Sequence, residues 1–505
     1  MPVDFLTAEQ KEQYGRYSGE PNDVQLTRFF HLDETDLALI LKRRGGQNRL
    51  GVALQLTSIR FLGTFLSDVM LAPVNVKEFL ARQLSITDIN VLCGYGHRET
   101  TKREHAALIR QHSGYHDFSE PPWAFRLSRL LYTRAWISNE RPSLMFDFST
   151  AWLIQNKVIL PGATTLSRLI AEIRERAVNR LWLRLSSLPT DEQKEKLETL
   201  LLVPDGSRAS RFDAYRKGPV TISGPSFNSA VERYLELQSF GLQGIDFSSI
   251  PPVRLKHLAK HAGVISMHKI ARMPDDKRIA ILLAFVKAFE TIALDDSLDV
   301  LDMLITGIAR DAKKIGQKKR LRTLKDLDKS ALALAKVCAL ILDEETEDNQ
   351  LRDEIFSQIT KQRLVASIAT VNDLARPFAN NFHDEMVEQY GKVRRFLSRL
   401  LKDIDFKAAP AGDITLEAFH YLASVDKSRK QLLDNPPLDI VSNQWKRLVF
   451  DKEGRPSRKG YTLCFLDKLQ DSLRRRDIYV ENSDRWGDPR AKLLQGTEWQ
   501  TNRVQ

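Results

Sequence analysis

A chain of 505 residues is too long for one hydrophobic core, so three to five compact domains are expected. Hydrophobic residues at 42% and charged residues at 28% exclude a disordered chain, and no apolar run reaches membrane-spanning length. The formal net charge of +11 points to a polyanionic partner, and three scattered cysteines (Cys93, Cys338, Cys464) without a CxxC pair argue against disulfides or a thiolate zinc site.

Taken in chain order, the reading is mainly α. The start MPVDFLTAEQKEQYG lacks a basic-then-apolar signal pattern, so a cytoplasmic place is expected. Leu37, Leu41, Leu54, Ile59 and Leu62 fall in short apolar-periodic segments broken by a Gly45-Gly46 turn. Arg43, Arg44 and Arg49 flank that turn, as in a helix-turn-helix whose basic second helix enters a major groove. The competing reading is a solvated basic helix end, favoured by the helix dipole. A helix from Val76 to about Gln83 follows Pro73, then a loop at Cys93-Gly94-Tyr95-Gly96. Thr101-Lys102-Arg103-Glu104 reads as a capping box opening a helix that Ser113-Gly114 stops. Lys102, Arg103 and Arg110 decorate it, and Thr100, Thr101, Gln111 and His112 add donors suited to phosphates and base edges. A plain surface helix is the alternative. Another helix opens at Pro121-Pro122 and runs through Trp136.

After Pro161-Gly162 a long amphipathic helix places Leu166, Leu169, Ile170, Ile173 and Ala177 on one face. Arg176, Arg180 and Arg184 recur at i, i+4 on a different stripe. The stretch Pro204 to Pro225 reads as a loop, with helices resuming near Asn228, after Pro251-Pro252 and after Pro274. Arg254, Lys256 and Lys260 lie on an amphipathic helix stopped by Gly263 and followed by a second apolar segment, again in helix-turn-helix order. From Pro274 to about Gln431, leucine-rich helices alternating with acidic or basic loops are expected. The densest basic run is Lys313, Lys314, Lys318, Lys319, Arg320, Arg322 and Lys325, a phosphate-binding segment or a solvated linker. Arg474-Arg475-Arg476 is a smaller version.

Several residues imitate enzyme sites. Asp205 follows an apolar run that reads more simply as a helix end, and no partner carboxylate is evident. Asp295, Asp296, Asp299 and Asp302 share a helix face that reads as solvated rather than magnesium-binding. Cys93, His97, His112 and His116 match no common structural zinc spacing. There is no Walker motif, dinucleotide fingerprint or Gly-x-Ser-x-Gly elbow. No catalytic residue, metal or cofactor is expected.

The strings Tyr14-Gly15-Arg16-Tyr17, Leu26-Thr27-Arg28-Phe29-Phe30 and Arg49-Leu50-Gly51-Val52-Ala53-Leu54-Gln55-Leu56 resemble the N-terminal region of Tn-three-family transposases. So do Ile270-Ala271-Arg272-Met273-Pro274-Asp275, Trp445-Lys446-Arg447-Leu448-Val449 and Arg485-Trp486-Gly487-Asp488-Pro489-Arg490, in family order along essentially the whole chain. The resemblance implies tandem helical, helix-turn-helix-like DNA-binding domains that recognise terminal inverted repeats, then a helical dimerisation region. It also implies a later RNase-H-like Asp-Asp-Glu domain using magnesium, to which no residue here is assigned. The expected divisions are three DNA-binding regions at 1–72, 73–160 and 161–275, dimerisation at 276–430, and a linker at 431–505 toward a missing catalytic domain. The chain is therefore expected to bind double-stranded DNA in the bacterial nucleoid as a truncated transposase without enzymatic activity. A homodimer, or a mixed dimer with full-length transposase, is the expected assembly. The rival readings are a helical scaffold that dimerises with intact transposase and inhibits it, and an enzyme with an unseen site.

Overall fold

The computed structural model describes residues 5–96, 98–343, 348–374, 382–428 and 430–493. It is mainly helical, as the periodicities predict. It divides into two compact units, one of residues 1–194 with 245–284 and one of 195–244 with 285–505.

The first unit grows around helix Gly46–Leu62. Its sequence is apolar or small nearly all round, and such a helix has no solvent face. Every residue from Leu50 to Ile59 is buried. Gln55 meets its amide's needs inside by donating to the Leu66 carbonyl (2.8 Å) and accepting from the Leu66 N–H (2.9 Å). A Cβ at Gly51 would fall 2.1 Å from the Tyr95 ring, so glycine there lets Tyr95 lie against the helix. The predicted division at residue 72 does not follow the packing. Val76, Leu80, Ala81 and Leu92 share one core with Leu50, Leu54 and Ile59. A second core joins helices Trp123–Ile137, Pro142–Gln155 and Ala163–Ser186 through Leu127, Leu131, Met145, Leu153, Leu166, Ile170 and Ala177.

Two local expectations fail here for identifiable reasons. The capping box at Thr101 does not form. The helix spans Glu99–Ser113 behind Arg98, and the Thr101 N–H already donates to the Arg98 carbonyl (3.1 Å), so that residue lies inside the first turn. The loop from Pro204 to Pro225 holds a short helix, Arg211–Tyr215. The next helix begins at Gly224, capped by the Ser223 hydroxyl accepting from the Ser226 N–H (3.2 Å).

The largest departure is helix Asp275–Ile341, whose 67 residues replace the expected alternation of short helices and loops. At 1.5 Å per residue it is about 100 Å long. Lys, Arg, Leu and Ala are strong helix formers, and no proline interrupts them. Gly316 does not break the helix because it is a packing site, where a Cβ would fall 2.1 Å from the Phe382 ring. The far end carries a small core of Ala333, Val337 and Ile359 shared with the helices that follow.

Residues 431–493, expected as a linker, are folded in the second unit. Helix Arg458–Arg475 buries Tyr461, Leu463, Phe465, Leu466 and Leu469, and Gly460 lets it approach the Leu448 carbonyl. Strand Phe406–Ala408 pairs antiparallel with Ile478–Val480. The acidic face of the long helix is likewise not solvated. Arg485 spans Asp295, Asp296 (3.1 Å) and Asp299, and Trp486 Nε1 donates to Asp299 (2.7 Å). Arg474 forks onto Asp302 at 2.8 and 3.1 Å. Asp295, Asp296 and Asp299 are structural acceptors that pin the 483–486 segment, and Asp302 holds helix Arg458–Arg475.

Candidate nucleic-acid interface

In the first unit the Gly45 turn lies close to helix Glu99–Ser113. A Cβ on Gly94 would touch the Gln47 side chain at 3.7 Å, and one on Gly96 would strike the methylenes of Lys102. Burial, followed by the nearby charge of Arg43, holds His105 below the ordinary histidine value. Arg43 is half-buried, while Arg44 and Arg103 are exposed. Arg49 is turned back, with Nε donating to the Arg43 carbonyl (2.9 Å). The expectation that its helix enters a groove is corrected for the same reason that made the helix central: it is buried. Arg110 is tied to Asp117 (3.2 Å), so it braces the loop after its helix.

Arg176, Arg180 and Arg184 are exposed on helix Ala163–Ser186. Arg180 is aimed by its neighbours, donating to the Tyr132 hydroxyl (3.1 Å) and lying over the Trp136 ring at 5.1 Å. Sequence reasoning missed Arg126 and Arg129, which stand exposed beside Phe125 on helix Trp123–Ile137. Their spacing against the buried Leu127, Leu131 and Ala135 was the available signal.

On helix Pro252–Val264, Lys256 and Lys260 are exposed but Arg254 is not. Arg254 is 6% exposed and donates to Asn139 Oδ1 (3.0 Å), anchoring the end of helix Trp123–Ile137. Its expected phosphate contact is therefore corrected to a structural one. His257 lies beside it on the same helix. Burial first, then the charges of Arg254, His261, Lys260 and Arg174, holds it below the ordinary value of 6.5. Every charge acting on it is positive, the field an anion would relieve. A DNA phosphate beside His257 would raise its value, so binding would take up a proton. Affinity for duplex DNA is thus expected to rise as pH falls toward and below 6.5, by up to about tenfold per pH unit. Binding titrations across that range with His257→Gln check this; an unchanged slope in the variant would show that the proton goes elsewhere.

In the second unit Lys313, Lys314 and Lys318 are exposed along the long helix, so the run is helical rather than a loop. Lys319 is engaged with Glu388 (2.7 Å) and holds helix His383–Glu388 in place. The side chains of Arg320, Arg322 and Lys325 lie outside the described residues. The imagined zinc ligands do not converge. Cys93 is exposed, His112 faces Asp36 (3.4 Å), and His116 packs on Trp123 at 4.9 Å, while His97 lies outside the described residues. Among the described residues no three His, Cys, Asp or Glu side chains gather as metal ligands, and no helix is long and apolar enough to cross a membrane.

Residues 5–173 match a family model described as a domain of unknown function (DUF4158). The transposase for transposon gamma-delta of Escherichia coli (strain K12) is 60% identical over 504 residues, covering 100% of this chain and 50% of that protein. The transposase for transposon Tn4556 of Streptomyces fradiae is 31% identical over 326 residues, covering 60% of this chain and 36% of that protein. The transposase for transposon Tn1546 of Enterococcus faecium is 24% identical over 501 residues, covering 98% and 50%. The chain spans about half the length of the curated relatives it matches. The expectation of a non-enzymatic chain is overturned by these matches, because transposases are enzymes. Along its whole length, the chain is homologous to transposases of the Tn-three family.

Proposed function

We propose that this chain binds the terminal inverted repeats of a transposon, as the end-recognising part of a transposition enzyme. The observation that carries this reading is the set of exposed cations in the first unit, with His257 among positive charges alone, on a chain homologous to transposases. Arginine and lysine side chains hold phosphates and fix register, while Gln, Asn and Thr on the same surface can reach base edges. Strand cutting and joining belong to the activity of the whole transposase. The second unit supplies dimer contacts in this reading: its long helix and the helices after it expose Leu332, Ile341, Leu342 and Val365, an apolar set suited to a second copy. Such a protein works in the bacterial cytoplasm at the nucleoid.

The test is a gel-shift competition at physiological salt between the element's terminal repeat and a shuffled duplex of equal length. A preference of about a thousandfold or more is the expected result. Equal binding to both duplexes would overturn end recognition and leave a non-specific basic protein.

A further inference from the structure

Among the basic segments of the first unit, helix Glu99–Ser113 carries a face suited to reading bases. Helix Gly46–Leu62 is consumed by the core, and Arg254 on helix Pro252–Val264 is buried in a structural bond. Helix Glu99–Ser113 differs. Its inner side is held by the buried His105 and Ile109, with the more exposed His112 at the edge of that side. His105 stacks on Tyr95 with ring centroids 5.7 Å apart, and Tyr95 is seated against Gly51. Ile109 is fully buried, and His112 faces the buried carboxylate of Asp36 at 3.4 Å. These anchors fix the rotation of the helix about its axis.

The opposite side follows from that rotation. Thr100, Arg103, Glu104, Ala107 and Gln111 are exposed and recur at helical spacing, forming one stripe. Ala107 at its centre keeps the stripe shallow, as close approach to a groove floor requires. The chemistry on either side of it is complementary to base edges: Arg103 can fork onto guanine O6 and N7, and Gln111 onto adenine N6 and N7. Glu104, the acidic group of the stripe, is a poor phosphate neighbour but an acceptor for the cytosine amino group. Arg44 is exposed beside the Gly45 turn, where it is suited to a backbone phosphate.

Resting on the proposed DNA-end binding, we infer that helix Glu99–Ser113 is a base-reading helix that enters the major groove, with Arg103 and Gln111 as specificity-determining residues. Arg103 and Gln111 set the preferred base at separate positions, whereas Arg44 contributes affinity without sequence preference.

The experiment uses the full chain to select duplexes from a randomised pool, then repeats the selection with Arg103→Ala and Gln111→Ala. Each variant's thermal unfolding is recorded first, and a midpoint equal to the parent's shows that the fold is kept. The expected result is a selected motif that keeps most positions but loses its preference at one guanine in Arg103→Ala and at one adenine in Gln111→Ala. Affinity for the parent motif should fall about tenfold or more, with little change on a shuffled duplex. If Arg103→Ala weakens motif and shuffled duplex by the same factor, the residue is a phosphate contact and the inference is overturned while end binding stands. If the parent chain selects no motif at all, the failure lies with end recognition itself.

Discussion

Raising salt from about 50 to about 200 mM should weaken the chain's grip on duplex DNA by about a thousandfold to a hundred-thousandfold. The reason is the number of free cations in the first unit. Arg44, Arg126, Arg129, Arg176, Arg184, Lys256 and Lys260 are all exposed, and together they can neutralise about six or seven phosphates. Each neutralised phosphate releases counterion, so the logarithm of affinity falls by about 0.9 per contact per logarithm of salt. Replacing Lys256 and Lys260 together by Gln should reduce that slope by about two and weaken binding on every sequence alike. Fluorescence anisotropy over a salt series measures both effects. A flat slope in the parent chain would mean that these side chains do not meet phosphate, and the protein-binding scaffold would become the better account of the molecule.

Much of the fold was legible because the punctuation is chemical. Pro121-Pro122, Pro161-Gly162, Pro251-Pro252 and Pro274 precede helices, and Gly63 and Gly114 end them in left-handed backbone. What stayed hidden was tertiary. Nothing local tells that Gly316 will be covered by Phe382, or that one helix will run from Asp275 to Ile341 where alternating helices and loops are expected. Nothing local tells that Asp295, Asp296 and Asp299 will receive an arginine 186 to 190 residues away, so they read as solvated. The candidate interface divided the same way. Basic residues could be found in sequence, but their availability depends on their partners: the distant Asn139 for Arg254 and Glu388 for Lys319, and the nearby Arg43 carbonyl for Arg49 and Asp117 for Arg110. Arg126 and Arg129 were overlooked because isolated cations carry no pattern until a helix face gathers them.

Asp36→Ala should cost about 3 kcal/mol or more of stability in the first unit, because it strips a buried carboxylate from several partners at once. Asp36 is 0% exposed. One of its oxygens takes Arg60 at 2.5 Å and faces His112, and the other accepts from the Asp33 N–H (3.2 Å), closing the cap of helix Glu34–Leu41. Removing one member of a buried pair leaves the other charge without compensation, which costs more than the pair contributes. Arg60 keeps some contact with water, with 27% of its side chain exposed, so the loss belongs at the lower end of the usual range. Chemical denaturation of the parent, Asp36→Ala, Arg60→Met and the double variant apportions the effect through a double-mutant cycle. The double variant should recover part of the loss, since neither charge is then stranded. An Asp36→Ala loss below about 1 kcal/mol would show that the carboxylate is not holding the cluster together. The variant also separates stability from recognition. His112 contacts Asp36 from the edge of the inner side of helix Glu99–Ser113, so freeing it loosens the rotation that aims Arg103 and Gln111 outward. Under conditions where Asp36→Ala remains folded, preference among duplex sequences should therefore fall further than affinity for a shuffled duplex.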